Sequence, residues 1–239
     1  MNTLSLVVPV LGSQDLLARL LGHLGTLATA AEGCGWHLEE AIVVDDGSVP
    51  PLTLEMPSAA VPCVVRLLRN ERNMGKGFSV RRGALAANGR YVLMSDVDES
   101  APLGEFSKLA AAMEPGVAIA CGTRAKDDER PFFRRLLSKV FRMLARPPVS
   151  DVQCGFKLFD MDLMRPVFEA QRTNRFAFDV ELVRAAAALG RASGSRTVVD
   201  APVEWHGGRR SSLCVIRDAP RMLLDLFMIT IRPLPGVAR

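Results

Sequence analysis

The sequence predicts an α/β protein on a doubly wound, mostly parallel sheet flanked by helices. Three observations carry this. Short apolar runs (LSLVVPV, AIVVDD, CVVRLL, YVLMS) have the length and β-branched content of buried strands. Segments of helical period separate them, and that alternation implies a parallel sheet. Aspartates 45, 46, 96 and 98 all fall at the carboxyl ends of predicted strands, where such sheets collect ligands.

LSLVVPV is the first strand. From Gln14 to Ala31, leucines 16, 17, 20, 21, 24 and 27 form one apolar stripe, so one helix is expected there. AIVVDD is the second strand and ends in the turn GSVPP. CVVRLL is the third. A Gly-Lys-Gly turn then opens a helix through Val80, Ala84 and Ala87, and YVLMS ends at Asp96. Farther on, residues 132–145 read as an amphipathic helix and DVQCGFKLF as a strand or turn. AFDVELVRAAAAL reads as a helix and TVVDAPV as a strand. The basic loop EWHGGRRSS follows, and a tail helix starts near Asp218, with Pro220 in its first turn.

At 239 residues the chain suits one domain: 1–98 as a nucleotide-binding half, 99–216 as an acceptor half and 217–239 as an amphipathic tail. Its 30 basic and 26 acidic residues give +4, which suits a phosphorylated ligand or an anionic surface. With few aromatics, this excludes a case for nucleic acid. Five scattered cysteines without a CxxC pair point to a reducing compartment and no zinc site. The apolar run LLDLFMITI is too short to span a membrane. The expectation is a cytoplasmic protein, at most peripheral at the inner face of the membrane.

Asp96 and Asp98 are two hard oxygen ligands at one strand end, spaced to face one ligand if the strand continues. They suit Mg²⁺ or Mn²⁺, which would neutralise a leaving diphosphate. Asp46, in VVDDGS, either meets a base or ribose edge or caps its own turn. In Asn73-Met-Gly-Lys-Gly, glycines let backbone approach a ligand, and Lys76 adds charge at a helix N-terminus. The spacing is neither that of a Walker A loop nor GxGxxG. Arg134 and Ser138 are helical neighbours, and Arg124 lies upstream. Together they could hold a phosphate or form a solvated face. Asp179 and Glu181 open a helix, where acidic groups favour the dipole or serve as a base. His206 is a loop histidine that could bind metal or phosphate.

VVPV, VVDDGS, NMGKGFSVRRGALAANGRYVLMSDVD, DVQCGFKLF, RFAFDVELV, VEWH and RDAPRMLLDL occur in this order. In that order they resemble the family-2 glycosyltransferases of the GT-A, Rossmann-like fold. The chain is most similar to the polyprenyl-phosphate group, especially the dolichyl-phosphate β-glucosyltransferases. The resemblance implies a hexosyltransferase that moves a hexose, glucose foremost, from a UDP-sugar to a polyprenyl phosphate by metal-assisted, inverting, in-line displacement. It implies that Pro9, Val10, Asp45, Asp46, Lys76, Asp96 and Val97 form the nucleotide-sugar site. Asp98 is then the chief ligand of Mg²⁺ or Mn²⁺, joined by Asp96 and His206. Arg124, Arg134, Ser138, His206, Arg209 and Arg210 fall to the acceptor phosphate, and Asp98 and Asp179 to catalysis.

One difference stands in the closing loop. Related glucosyltransferases read roughly WHEVxGSK, and this chain reads WHGGRRSSL, with Ser212 at the lysine position. The alternative acceptor is a soluble or carrier-protein-bound hydroxyl or amine, with Asp179 as base. A second alternative is a non-catalytic nucleotide-sugar-binding protein, against which the intact aspartates argue. A nucleotidyltransferase would need a Gly- and Arg-rich loop after the first strand, which Leu11-Gly12-Ser13-Gln14 is not. Peripheral membrane contact and a homo-oligomer are further expectations.

Overall fold

The structure is a computed structural model, and it describes residues 1–55, 61–124, 149–206 and 224–236. Its strands are β1 (Asn2–Val10), β2 (Trp36–Asp45), β3 (Val64–Arg69), β4 (Tyr91–Met94), β5 (Ile119–Arg124), β6 (Lys157–Asp160) and β7 (Val198–Val203). They form one sheet in the order β3-β2-β1-β4-β6-β5-β7. All neighbours are parallel except β6, which runs antiparallel to both β4 and β5. The expected mostly parallel α/β sheet is therefore present, with one reversed strand, β6, in its interior.

Period-two alternation divides the core. Leu4, Leu6, Val8 and Val10 of β1 point into one apolar layer, and Val7 points into the other. The first layer is covered by α1 (Gln14–Gly22), α2 (Leu24–Gly33) and α4 (Phe106–Ala112). The second is covered by α3 (Lys76–Ala86), α5 (Met161–Ala170) and α6 (Phe178–Ser193). A short terminal helix, described over 224–231, adds Leu226 and Ile229 to the second layer. With both faces covered, the inner strands β1, β2 and β4 read as continuous apolar runs, which is why they were visible in sequence.

The single helix expected over Gln14–Ala31 is two. It breaks at His23, which follows Gly22 and serves as C-cap of α1 and N-cap of α2. The leucine stripe stays in register across the break, because Leu17, Leu20, Leu21, Leu24 and Leu27 are all buried. The His23 ring meets the Glu99 carboxylate at 2.9 Å, a tertiary contact that periodicity cannot reveal. Strand β5 and helices α4 and α5 had no sequence expectation. The expected helix over 132–145 lies outside the described residues, as does the start of the tail helix.

Strand order reverses direction at β1: the chain passes to β2 and β3 on one side and to β4 on the other. The crevice at the carboxyl ends of β1, β2 and β4 is therefore the topological switch point, where sheets of this kind bind ligands.

Candidate active site

Asp45 ends β2 and is fully buried. Its Oδ1 accepts the Ser48 amide at 2.8 Å, its Oδ2 accepts the Leu52 amide at 3.3 Å, and Arg69 pairs with it. Burial opposes its charge. The Ser48 hydroxyl and amide, the Leu52 amide and Arg69 outweigh that and hold the carboxyl below its ordinary range. Asp45, not Asp46, thus caps the turn that follows β2. The first loop is tied to the same turn, since the Gly12 amide donates to Ser48 Oγ at 2.8 Å.

Asp46 reaches in the other direction. Its Oδ1 accepts Asn70 Nδ2 and the Met74 amide, both at 2.8 Å, and its Oδ2 accepts the Gly75 amide at 2.9 Å. One carboxylate thereby fixes the loop that delivers Lys76. Gly75 has φ 104°, and a side chain there would overlap the Asn174 carbonyl. A Cβ at Gly77 would stand 2.6 Å from Phe178 Cβ. These glycines let the loop press against the start of α6. Asp46→Ala is expected to leave the three donors without their acceptor. The cost should be at least about 2 kcal/mol, seen as a lower thermal midpoint and faster proteolysis within residues 70–76. An unchanged protease pattern would refute the role of Asp46 as the loop's anchor.

Strand β4 ends at Met94, so Asp96 and Asp98 lie beyond it in a turn closed by the Glu99 amide on the Asp96 carbonyl at 3.1 Å. The period-two argument for the pair therefore does not apply. Asp96 Oδ1 pairs with Lys76 Nζ at 2.5 Å. Asp98 Oδ1 accepts the Ser100 amide at 3.1 Å and hydroxyl at 2.9 Å. Its Oδ2 makes no hydrogen bond among the described residues. Arg19 Nη2 donates to the Asp98 carbonyl at 2.8 Å. His206 is exposed, and its amide donates to the Ser100 carbonyl at 2.7 Å, which sets the loop after β7 beside the aspartate turn. Pro9 and Val10 end β1. The Val10 carbonyl accepts the Asp46 amide at 2.8 Å, and Val97 is half-buried in the aspartate turn.

Asp179, in the first turn of α6, is buried. Its Oδ1 accepts a hydrogen bond at 2.6 Å from Lys157 Nζ, a side chain only 1% exposed. Lys157 also donates to the Cys154 carbonyl. Burial works against the Lys157 charge, but the Asp179 carboxylate and the Cys121 and Cys154 sulfurs hold it above the ordinary lysine range. Lys76 is likewise raised: burial opposes its charge, and Asp96 and Asp179 prevail. Asp179 is itself pushed up by burial while Lys157 and Lys76 pull it down. Two lysines and two aspartates therefore form one charge network from α3 through the aspartate turn to α6. Gly155 is part of it, because a Cβ there would overlap Asp96 Oδ2.

Sequence reading named Lys76, Asp96 and Asp179 but missed Lys157 and Gly155, although it quoted the segment QCGFKLF. The usable signal was a lysine between Phe156 and Leu158 in a strand buried on both faces. Such a charge needs a carboxylate partner. Glu181, the other acid of FDVEL, accepts the amides of Arg172 and Thr173 and so shapes the preceding loop. Arg124 makes a two-pronged pair with Asp151 at 2.5 and 2.8 Å and stacks over Trp205 at 4.9 Å. Arg134, Ser138, Arg209 and Arg210 lie outside the described residues.

The model of glycosyl transferase family 2 matches residues 5–170. Dolichyl-phosphate β-glucosyltransferase of Drosophila melanogaster is 32% identical over 255 residues, covering 99% of this chain and 77% of its own. The Homo sapiens enzyme of that name is 30% identical over 218 residues, covering 84% and 66%. The chain thus spans about two thirds to three quarters of these relatives' length. In shape it is similar to glucosyl-3-phosphoglycerate synthase from Mycobacterium tuberculosis in complex with UDP. That match has TM-score 0.70 and 17% identity, and covers 97% of this chain and 81% of the other. The same enzyme with Mn²⁺, UDP-glucose and phosphoglyceric acid matches at TM-score 0.70 and 16% identity. At such identity the likeness is one of fold, the GT-A fold. With a sheet that gathers its aspartates at the switch point and a family match over most of its length, the chain belongs to glycosyl transferase family 2.

Proposed function

We propose that the protein moves a hexose, glucose foremost, from a UDP-sugar to a polyprenyl phosphate, inverting the anomeric centre by in-line attack. The relatives named dolichyl-phosphate β-glucosyltransferase support the donor sugar and the lipid acceptor. The observation that carries the acceptor class is the state of Asp179. A general base needs a carboxylate open to the hydroxyl it deprotonates. Asp179 is buried and already holds the Lys157 ammonium at 2.6 Å. That geometry favours an acceptor that arrives ionised, as a phosphate does, over a hydroxyl or amine.

In this reading Pro9, Val10, Asp45 and Asp46 line the nucleotide side. Lys76, held by the Asp46-anchored loop, is the cation aimed at the diphosphate. Asp98 and Asp96 would hold Mg²⁺ or Mn²⁺. Among the described residues no three His, Cys, Asp or Glu side chains converge, so phosphate oxygens and water would complete the shell, as is usual for these ions. The residues fit such an ion: Asp96 already holds a cation, the Lys76 ammonium, and Asp98 keeps Oδ2 free of hydrogen bonds among the described residues. The ion would supply positive charge against the leaving diphosphate. Arg124, with Arg134 and Ser138, is assigned to the acceptor phosphate, and His206 to the closing loop.

A product screen tests the function. UDP-glucose and UDP-N-acetylglucosamine are offered with undecaprenyl phosphate or a panel of soluble acceptors, and products are read by mass spectrometry. Glucosyl-lipid phosphate is expected; glucosylated soluble products alone would overturn the acceptor. Calorimetry with UDP in Mg²⁺, in Mn²⁺ and in chelator tests the metal. Chelation and Asp98→Ala are each expected to weaken binding on the order of tenfold or more. Equal affinity in all conditions would remove the metal from the reading.

A further inference from the structure

The terminal helix presents an unusual outer face. Leu224, Phe227 and Ile231 are 61%, 60% and 60% exposed. At helical spacing they fall within about 60° of arc, one continuous stripe. Leu226 and Ile229, on the opposite side, are buried in the core, so the helix is anchored with its stripe outward. Along one flank of the stripe lies a cavity of about 380 Å³, lined by Arg172, Arg175, Glu181, Asp225, Met228 and Arg232 among others. None of the aspartates at the switch point lines it.

The cavity carries the three guanidiniums of Arg172, Arg175 and Arg232 against the two carboxylates of Glu181 and Asp225, so its charge is net positive. Among the described residues none of the guanidiniums of Arg172, Arg175 and Arg232 makes an ion pair or side-chain hydrogen bond. Glu181, on α6, accepts the amides of Arg172 and Thr173 and keeps its negative charge in the cavity. Burial raises the half-buried Asp225 carboxyl, while Arg175 and Arg232 pull it down, so these two guanidiniums act on it across the cavity. Exposed apolar side chains beside a net-positive cluster of guanidiniums are the two chemistries a phospholipid surface needs. The first enters the acyl boundary and the second meets lipid phosphates. Among the described residues no helix is long and apolar enough to cross a membrane, so any lipid contact made by these elements is of this surface kind.

We propose that the outer face of the terminal helix, with Arg172, Arg175 and Arg232, docks the protein on an anionic phospholipid bilayer. The inference stands on this face and not on the acceptor. It also places the bilayer beside the site. Loop 172–175 holds the Lys76 helix through the Asn174 carbonyl, which accepts the Phe78 amide at 3.0 Å, and through packing against Gly75.

The 239-residue chain should co-sediment with vesicles of phosphatidylcholine containing phosphatidylglycerol, less so as salt rises, and weakly with phosphatidylcholine alone. Arg232→Gln should weaken partitioning about fivefold, the value of one arginine near an anionic surface. Phe227→Ser with Ile231→Ser should weaken it about tenfold or more. Both variants should melt as the wild type does, because the changed side chains are exposed. Binding that ignores lipid charge, variants that bind like the wild type, or no binding at all would overturn the proposal. A concentration-dependent dimer abolished by Phe227→Ser would overturn it too, since it would assign the face to a second copy. Transfer to a short-chain, water-soluble polyprenyl phosphate separates the two claims. Vesicle binding without transfer removes the proposed function only, and transfer without vesicle binding removes this inference only.

Discussion

Lys157→Met is expected to destabilise the protein by about 3–5 kcal/mol, the typical cost of leaving one partner of a buried ion pair alone. Lys157 is 1% exposed and Asp179 is 6% exposed, so water cannot replace the lost ammonium. The effect should depend on pH, with a defined sign. Asp179 is already raised above 3.8 by burial, and losing Lys157 removes a charge that pulls it down. A carboxyl with a folded pKa above its unfolded value contributes stability that is intact below the unfolded pKa. That contribution fades as pH rises through the folded one. The variant should therefore be closest to wild type near pH 4 and fall behind as pH increases. Urea titrations between pH 4 and 8 check this. A pH-independent deficit would mean that lost packing, not the stranded carboxylate, is the cause.

The double variant Lys157→Met, Asp179→Leu separates stability from function. Replacing a buried pair by apolar groups of similar volume is often neutral. Most of the lost stability should return. Transfer activity should not, because Lys76 then keeps only Asp96 of the carboxylates that hold it. Misplacement of such a group by about 1 Å costs on the order of a hundredfold. A double variant as active as the wild type would show that the network is structural alone.

What could be read from the sequence follows from the range of the interactions. Strands β1, β2 and β4 were legible because burial on both faces writes itself as an apolar run, and the edge strand β3 because its half-buried residues are still mostly apolar. Asp45, Asp46 and Asp96 were legible because the ends of those runs are the ligand edge of such a sheet. Strand β6 is four residues long and its neighbours are distant in sequence, so its reversed direction has no local signature. The division of labour between Asp45 and Asp46 was hidden for the same reason. Two adjacent, identical residues differ only in what the fold brings to them: Ser48 and Arg69 to one, the glycine loop to the other. Arg124 was grouped with Arg134 and Ser138 by proximity in the chain. Its described partners, Asp151 and Trp205, come from elsewhere. Lys157 could have been suspected from burial, but its carboxylate, 22 residues away, could not have been named.

Gly155→Ala is expected to reduce activity about a hundredfold while leaving the fold nearly as stable. Gly155 has no positive φ, so alanine can adopt its backbone without strain. The added methyl would overlap Asp96 Oδ2 and stand 2.5 Å from Asp96 Cγ. The obstacle is the end of a flexible side chain, and Asp96 is 31% exposed, so it can rotate toward solvent at small cost. Rotation breaks the Lys76 pair and removes the carboxylate from the place the donor diphosphate would meet. The predicted signature is a thermal midpoint within a few degrees of wild type, UDP affinity down about tenfold, and turnover down further, since positioning acts on both binding and reaction. Gly122→Ala separates this from crowding in general. Its Cβ would meet the Phe156 carbonyl at 2.8 Å, which is backbone and cannot rotate away. That variant should lose stability first and activity only as it unfolds. If Gly155→Ala instead loses stability and activity in proportion, Asp96 is locked in place, and the Lys76–Asp96 pair is a fixed element of the fold and not a site that exchanges one cation for another.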